Sequence, residues 1–237
     1  MRKIIPVLCV VGLLAACSLA AQQPISIRFR AVMGKSVVIP DQSYVNILGD
    51  TLSITRFRFY VSHLVFIKKD GTVYQPSNEY YLIDALDSNS AGIRIHIPDP
   101  AIREVQFLLG VDSLHNVSGI QAGALDPANG MFWTWNSGYI MAKLEGNSPH
   151  LPVPGHRFSY HIGGFAGKWN VLKTIRINLP ENTGTLHAID LNADLNCWFK
   201  GPTVFRLQNL AFCHSPGPLA LQFADNYAAM FSLKSIE

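Results

Sequence analysis

The feature that most constrains this chain is alternation with a period of two. "ISIRFRA" places Ile25, Ile27, Phe29 and Ala31 on one face and Ser26, Arg28 and Arg30 on the other. "RFRFYVSHLVFIKKDG" repeats the pattern, with Phe57, Phe59, Val61, Val65 and Ile67 in one phase. Successive side chains of a strand point to opposite faces, so both segments read as half-buried strands. "KKDG" is a hairpin turn signal, and "TVYQP" reads as the returning strand. "EYYLIDA", "GIRIHIP", "EVQFLLGV", "GYIMAKLEG", "HRFSYHIGG", "LKTIRINLP", "PTVFRLQNL" and "LALQF" are further strands, separated by Gly, Pro, Asn and Asp. No helical stripe is sustained before "DNYAAMFSLKS", which reads as a short closing helix. The pattern predicts an all-β fold: an antiparallel β-sandwich or barrel-like single domain over 21–237, with long loops and a short C-terminal helix.

The first twenty residues stand apart. "MRK" followed by "IIPVLCVVGLLAA" has the basic start and short apolar run of a signal peptide. "LAAC" offers the alternative of a lipoprotein signal ending before Cys17, and a lipid on Cys17 would be the sole tie to a membrane. Either route places the mature protein outside the cytoplasm: periplasmic, secreted or anchored to the outer membrane. Loss of Arg2 and Lys3 with the leader lowers the formal net charge from +3 by two. So nearly neutral a surface argues against a nucleic-acid partner held through phosphates. Cys197 and Cys213 remain in the mature chain. In an oxidising compartment they read as a disulfide between neighbouring C-terminal strands, with a thiolate metal site including His214 as the sharper alternative.

Chemistry-bearing residues gather in and after the irregular stretch 110–138. Asp112, Asn116, Asp126 and Asn129 supply hard oxygens for a calcium site, or serve as ordinary turn formers. "NVS" at Asn116 matches a glycosylation acceptor. Trp133 and Trp135 sit in "GMFWTWNSG" and, two residues apart on an extended chain, share a face. They read as core or loop anchors, or as a sugar-stacking platform. His63 falls in phase with Phe57 and Phe59, which makes it an inward core histidine or a metal ligand. His161 alternates away from Phe158, Tyr160 and Ile162 and precedes two glycines, so it looks more like a site. His150, His156 and His187 read as solvated loop residues, while His96 and His115 carry no assignment. No nucleophile elbow, phosphate loop, HExxH or CxxC motif is present, and nothing local pairs a base with a nucleophile.

"LGVD", "GALDP", "GMFWTWNSGYIMAKLEG", "FSYHIGG" and "ADNYAAMF" together resemble the MbnP-like family of methanobactin-associated, copper-binding secreted proteins, in its bacteroidete-type branch. "FRFYVSHL" and "YYLIDA" extend the resemblance over most of the mature chain. It implies a β protein that is not an enzyme but carries or scavenges copper as Cu(I). It implies that a WxW tryptophan, Trp133 or Trp135 with Trp133 favoured, is oxidised to kynurenine by a di-haem cytochrome c peroxidase-like (MbnH-like) partner. It further implies copper ligation by His161 and by Trp133 as kynurenine. His63 stands where relatives often carry asparagine. Two alternatives use the same residues: a carbohydrate or surface-ligand module built on Trp133 and Trp135, and a calcium-stabilised structural domain.

Overall fold

The strand Thr51–Lys68, eighteen residues long, is the spine of the fold. It pairs along its length with Ser43–Val45, Val73–Tyr74, Tyr80–Asp84, Ile102–Leu109 and Gly138–Asn147. A computed structural model describes residues 23–237 except 78, 99, 100, 136, 137, 183 and 185. The expected leader with Cys17 lies outside these residues. The larger sheet runs Lys173–Asn178, Ile102–Leu109, Thr51–Lys68, Gly138–Asn147, Arg157–Gly163, Phe212–Cys213. The smaller sheet runs Phe231–Ile236, Ala188–Asp194, Gln23–Met33, Ser36–Val37, with Gly92–Ile97 also on Gln23–Met33. Among the described residues, no helix is long and apolar enough to cross a membrane.

The two sheets face each other as an all-β sandwich. Ile25, Ile27, Phe29 and Ala31 are buried as their alternation requires. Phe29 and Phe231 of the smaller sheet meet Phe59 and Phe107 of the larger one. Ring centroids lie 5.4 Å apart for Phe29–Phe59, 5.9 Å for Phe29–Phe107, 5.4 Å for Phe59–Phe231 and 5.3 Å for Phe107–Phe231. All four contacts are edge-to-face, the arrangement that ring quadrupoles favour.

Several expectations are corrected. Two pairings are parallel: Gln23–Met33 with Ala188–Asp194, and Ser159–Tyr160 with Phe212–Cys213. Parallel neighbours need long crossovers: most of the chain lies between the first pair, and the stretch from Gly163 to Phe212 lies between the second. The closing helix is Pro218–Tyr227, and the chain then ends in the strand Phe231–Ile236. "LALQF" is therefore helical: Ala220, Phe223, Ala224 and Tyr227 are buried at helical spacing. Phe223 stacks on Phe205 at 4.2 Å and on Tyr160 at 4.6 Å, which locks the helix against the larger sheet. "PTVFRLQNL" makes only a short helical turn at Leu207–Asn209 and a bridge between Lys200 and Val204.

In the spine strand the inward phase changes at His63. Phe57, Phe59 and Val61 are buried, but beyond the histidine Leu64 and Phe66 take the core, while Val65 and Ile67 are half-buried. His63 has a φ of 49°, and the pairing with Ile102–Leu109 shifts register between Ser62 and Val65. This bulge turns the imidazole away from the core. The expected inward histidine is thus overturned.

Phe59→Ala removes a fully buried ring that touches the opposite sheet. It is expected to lower stability by about 3–5 kcal/mol, read as a reduced urea midpoint at unchanged m-value.

Candidate functional site

The outer face of Arg157–Gly163 carries the densest polar chemistry near the tryptophans. Phe158, Tyr160 and Ile162 point into the core, so Ser159, His161 and Gly163 point outward. Antiparallel pairing sets Lys143 opposite His161 and Glu145 opposite Ser159. His161 Nε2 lies 2.6 Å from Glu145 Oε1 and 2.9 Å from Ser159 Oγ. The His161 hydrogen bond is the largest effect holding the Glu145 carboxyl below its ordinary pKa, against the opposing effect of burial. His214 approaches from the edge strand: its Nε2 lies 2.9 Å from the same Ser159 Oγ, and its ring centroid is 4.5 Å from that of His161. Partial desolvation and then the adjacent His161 ring lower the His214 pKa, which favours the neutral imidazole. Lys143 is buried and donates to the Gly130 carbonyl, tying the face to the loop above it. Burial is the main reason its pKa falls.

The tryptophans cap the far end of this face. Trp133 ends the short strand Phe132–Trp133, which pairs with Gly138 and Tyr139. Its ring lies over Gly163: a Cβ there would sit 2.6 Å from Trp133 Cζ3 and 2.7 Å from the Tyr139 carbonyl oxygen. Gly163 is thus required for close approach, and Trp133 lies two residues along the same face from His161. A cleft of about 260 Å³ opens beside it, lined by Trp133, Gly138, Tyr139, Gly164, Trp169 and Pro216. Trp133 is 5% exposed and Trp135 is 65% exposed, with their rings 5.5 Å apart at 38°. The strand stops at Trp133 and Trp135 falls in the turn, so the two do not share a face as strand neighbours. A platform of two exposed indoles does not form.

The remaining expected residues are placed elsewhere. His63 belongs to a separate cluster: its Nε2 is 2.8 Å from Asp112 Oδ2 and 3.5 Å from the Tyr80 hydroxyl. Tyr80 donates to Asp112 and lies 2.6 Å from His115 Nδ1. Burial alone would raise the Asp112 pKa. Hydrogen bonds from Tyr80, the His115 backbone N–H, and the His63 and His115 rings overcome it and hold the carboxyl well below its usual range. Asp112 also caps the helix Ser113–Val117. Asn116 is buried, donates to the Val111 and Asp112 carbonyls at 2.6 and 2.8 Å, and accepts from the Tyr139 N–H at 2.9 Å. So enclosed an amide is no glycan acceptor. Asp126 accepts from the Ala128 N–H at 2.8 Å, and Asn129 donates to the Gly123 and Ala124 carbonyls. These four residues cap and close the loop, and they do not gather into a calcium site.

Cys197 and Cys213 are free thiols, the first on the helix Asn196–Phe199 and the second on Phe212–Cys213. They are not on neighbouring strands, so the expected disulfide is corrected. Adjacent strand residues face opposite ways, so Cys213 turns inward while His214 turns out. Burial pushes the Cys213 thiol up to about 11, which removes it as a thiolate partner for His214. Among the described residues, no three His, Cys, Asp or Glu side chains are gathered to hold a metal ion. The face offers instead two imidazole nitrogens directed at one hydroxyl. His214 was picked out of the sequence only as a companion of Cys213. The alternation through Phe212, Cys213 and His214 is the signal that separates the two.

Fold and site define a β-sandwich protein with a loop-capped cluster of imidazole and indole on one sheet face. The MbnP family model matches residues 22–215, and the chain belongs to that family. It is similar in fold to the solved structure of MbnP from Methylosinus trichosporium, with a TM-score of 0.58, 17% identity, and coverage of 78% of this chain and 83% of that one. No curated protein matches it.

Gly163→Ala is expected to displace Trp133 and cost about 1–3 kcal/mol by overpacking, seen as a lower melting temperature with a changed tryptophan emission maximum. Asp112 has a depressed folded-state pKa, so its contribution to stability is full above the ordinary carboxylate range and is lost as pH falls through the folded value. Asp112→Asn should therefore weaken the fold at neutral pH and flatten the acid limb of a stability–pH curve.

Proposed function

We propose that this protein is an extracytoplasmic copper carrier or scavenger, not itself an enzyme, and that Trp133 becomes kynurenine through a di-haem, cytochrome c peroxidase-like partner. Membership of the MbnP family and the leader-like N-terminus support the setting. The observation that carries the reading is the pairing of a buried and an exposed indole, 5% and 65% exposed with centroids 5.5 Å apart. The buried ring lies along the same face as His161.

Each residue has a distinct part. His161 supplies an imidazole nitrogen to the copper cargo. Trp133 as indole offers only an N–H donor, whereas kynurenine offers an aniline nitrogen and a carbonyl oxygen beside that imidazole. Trp135 presents an oxidisable ring at the surface, where a bulky haem protein can touch it, and relays the electron hole inward. Gly163 leaves room for the Trp133 ring. Lys143 and Glu145 fix the loop and the His161 ring.

Two measurements test this. Tandem mass spectrometry and metal analysis compare protein produced with and without the di-haem partner. Conversion at Trp133 and copper retention in the paired sample are expected, and the absence of both refutes the reading. Trp135→Phe is expected to slow oxidation of Trp133 strongly. An unchanged rate would remove the relay.

A further inference from the structure

We propose that a notch in the smaller sheet binds a small organic monoanion, a carboxylate carrying a hydrocarbon chain, and that Arg30 grips the carboxylate. This site is independent of the copper reading, since His161 and Trp133 belong to the other sheet.

Strand pairing makes the notch. Along one edge, Gln23–Met33 is covered by Ala188–Asp194 from Ser26 to Val32. Its other edge is shared by two shorter neighbours. Gly92–Ile97 pairs with it only as far as Arg28, and Ser36–Val37 takes over only at Val32. Phe29 to Ala31 therefore face a gap between the two. Its ends are tied by the Phe29 N–H to the Ala91 carbonyl at 2.7 Å and by the Val38 N–H to the Ala31 carbonyl at 3.0 Å. Ile27, Phe29 and Ala31 point into the core, so Arg28 and Arg30 point outward at the gap. A cleft of about 520 Å³ lies there, within the usual size range of small-molecule sites.

The lining has an apolar part and a charged part. Val37, Val38, Ala85 and Leu86 form the first. Arg28, Arg30 and Lys234 with Asp190 and Glu237 form the second, three cations against two carboxylates. Both carboxylates are already engaged. Arg28 Nε lies 2.5 Å from Asp190 Oδ1, and Arg28 Nη2 lies 2.8 Å from Glu237 Oε1. The Ser235 hydroxyl donates to Asp190 at 2.8 Å, and Lys234 Nζ stands 3.9 Å from the same carboxylate. Arg30 differs: it enters no ion pair among the described residues, and its Nε is closed off from solvent without an acceptor. A charged N–H removed from both water and an acceptor is destabilising. A carboxylate in the cleft relieves this, because the guanidinium fork turns to meet its two oxygens with parallel hydrogen bonds. One excess positive charge matches a monoanion. Asp190 and Glu237 repel the second charge of a phosphate monoester. The hydrocarbon chain of the ligand then lies on Val37, Val38, Ala85 and Leu86.

The test is isothermal titration of the whole, metal-free mature chain with octanoate, butanoate, octan-1-ol and octyl phosphate, with amide NMR of the octanoate titration. The wild type, Arg30→Met and Arg30→Lys are compared. Arg30 faces away from the core, so both variants are expected to keep the wild-type melting temperature. Octanoate should bind at one site, more tightly than butanoate by up to about fourfold per added methylene. It should also bind about tenfold or more tighter than octan-1-ol or octyl phosphate. Arg30→Met should weaken octanoate by about tenfold or more, as expected for loss of a hydrogen bond to a charged group, and leave octan-1-ol unchanged. Arg30→Lys keeps the charge without the fork and should recover only part of the loss. Amide shifts at 28–30, 37–38 and 85–92 place the ligand in the notch. No octanoate binding by the wild type, undiminished binding by Arg30→Met, or shifts confined to other segments refutes the site. Octan-1-ol binding as tightly, or octyl phosphate binding more tightly, refutes the carboxylate. Butanoate binding as tightly as octanoate refutes the apolar wall.

Discussion

The aromatic contact between the sheets is the constraint on which the rest of the molecule depends. Phe29 and Phe231 meet Phe59 and Phe107 edge-on, and these rings come from both ends of the chain and from its middle. Each such pair contributes roughly 0.5–1.5 kcal/mol beyond the area it buries. Their larger effect is positional. With its inner face fixed by these rings, the larger sheet must send Lys143, Glu145, Ser159 and His161 to its outer face, because strand side chains alternate. The polar cluster is the obligatory reverse side of the hydrophobic core.

A second constraint is the way the loop 110–138 is tied down. Asn116 spends its whole amide on backbone groups at both ends of the loop, and Asp112 collects donors from the spine strand, from Tyr80 and from the helix it caps. Tyr139 and Tyr60 add hydroxyl bonds to the Leu125 and Ala124 carbonyls. A segment rich in Gly, Asn and Asp is thereby tied down by its own side chains, and Trp133 packs against Gly163.

Much of the fold was legible because a strand period is local. The alternation in 25–31 and 57–61 gave both faces correctly, and His161 was placed outward by the same rule. The errors came where tertiary packing overrides local pattern. The bulge at His63 reverses the phase of everything after it, and no residue there announces a positive φ. "LALQF" is short and bounded by turn residues like the strands before it, yet its Leu, Ala and Gln favour a helix, and in that helix Phe223 meets Phe205 and Tyr160. The loop oxygens read first as ordinary turn formers, with calcium ligation as the sharper alternative, and only their partners decide. His214 was hidden because a parallel pairing between residues more than fifty positions apart leaves no periodic trace in either segment.

The edge strand Phe212–Cys213 has one more consequence. It contributes only two paired residues, so its register is set by little, yet that register decides which of two chemically different groups faces His161. As the chain stands, imidazole faces outward and thiol is sealed in the core. Insertion or loss of one residue just upstream would exchange them, putting a thiolate beside the imidazole and burying the ring. The strand acts as a two-position selector for which group faces His161, while the core behind it stays untouched.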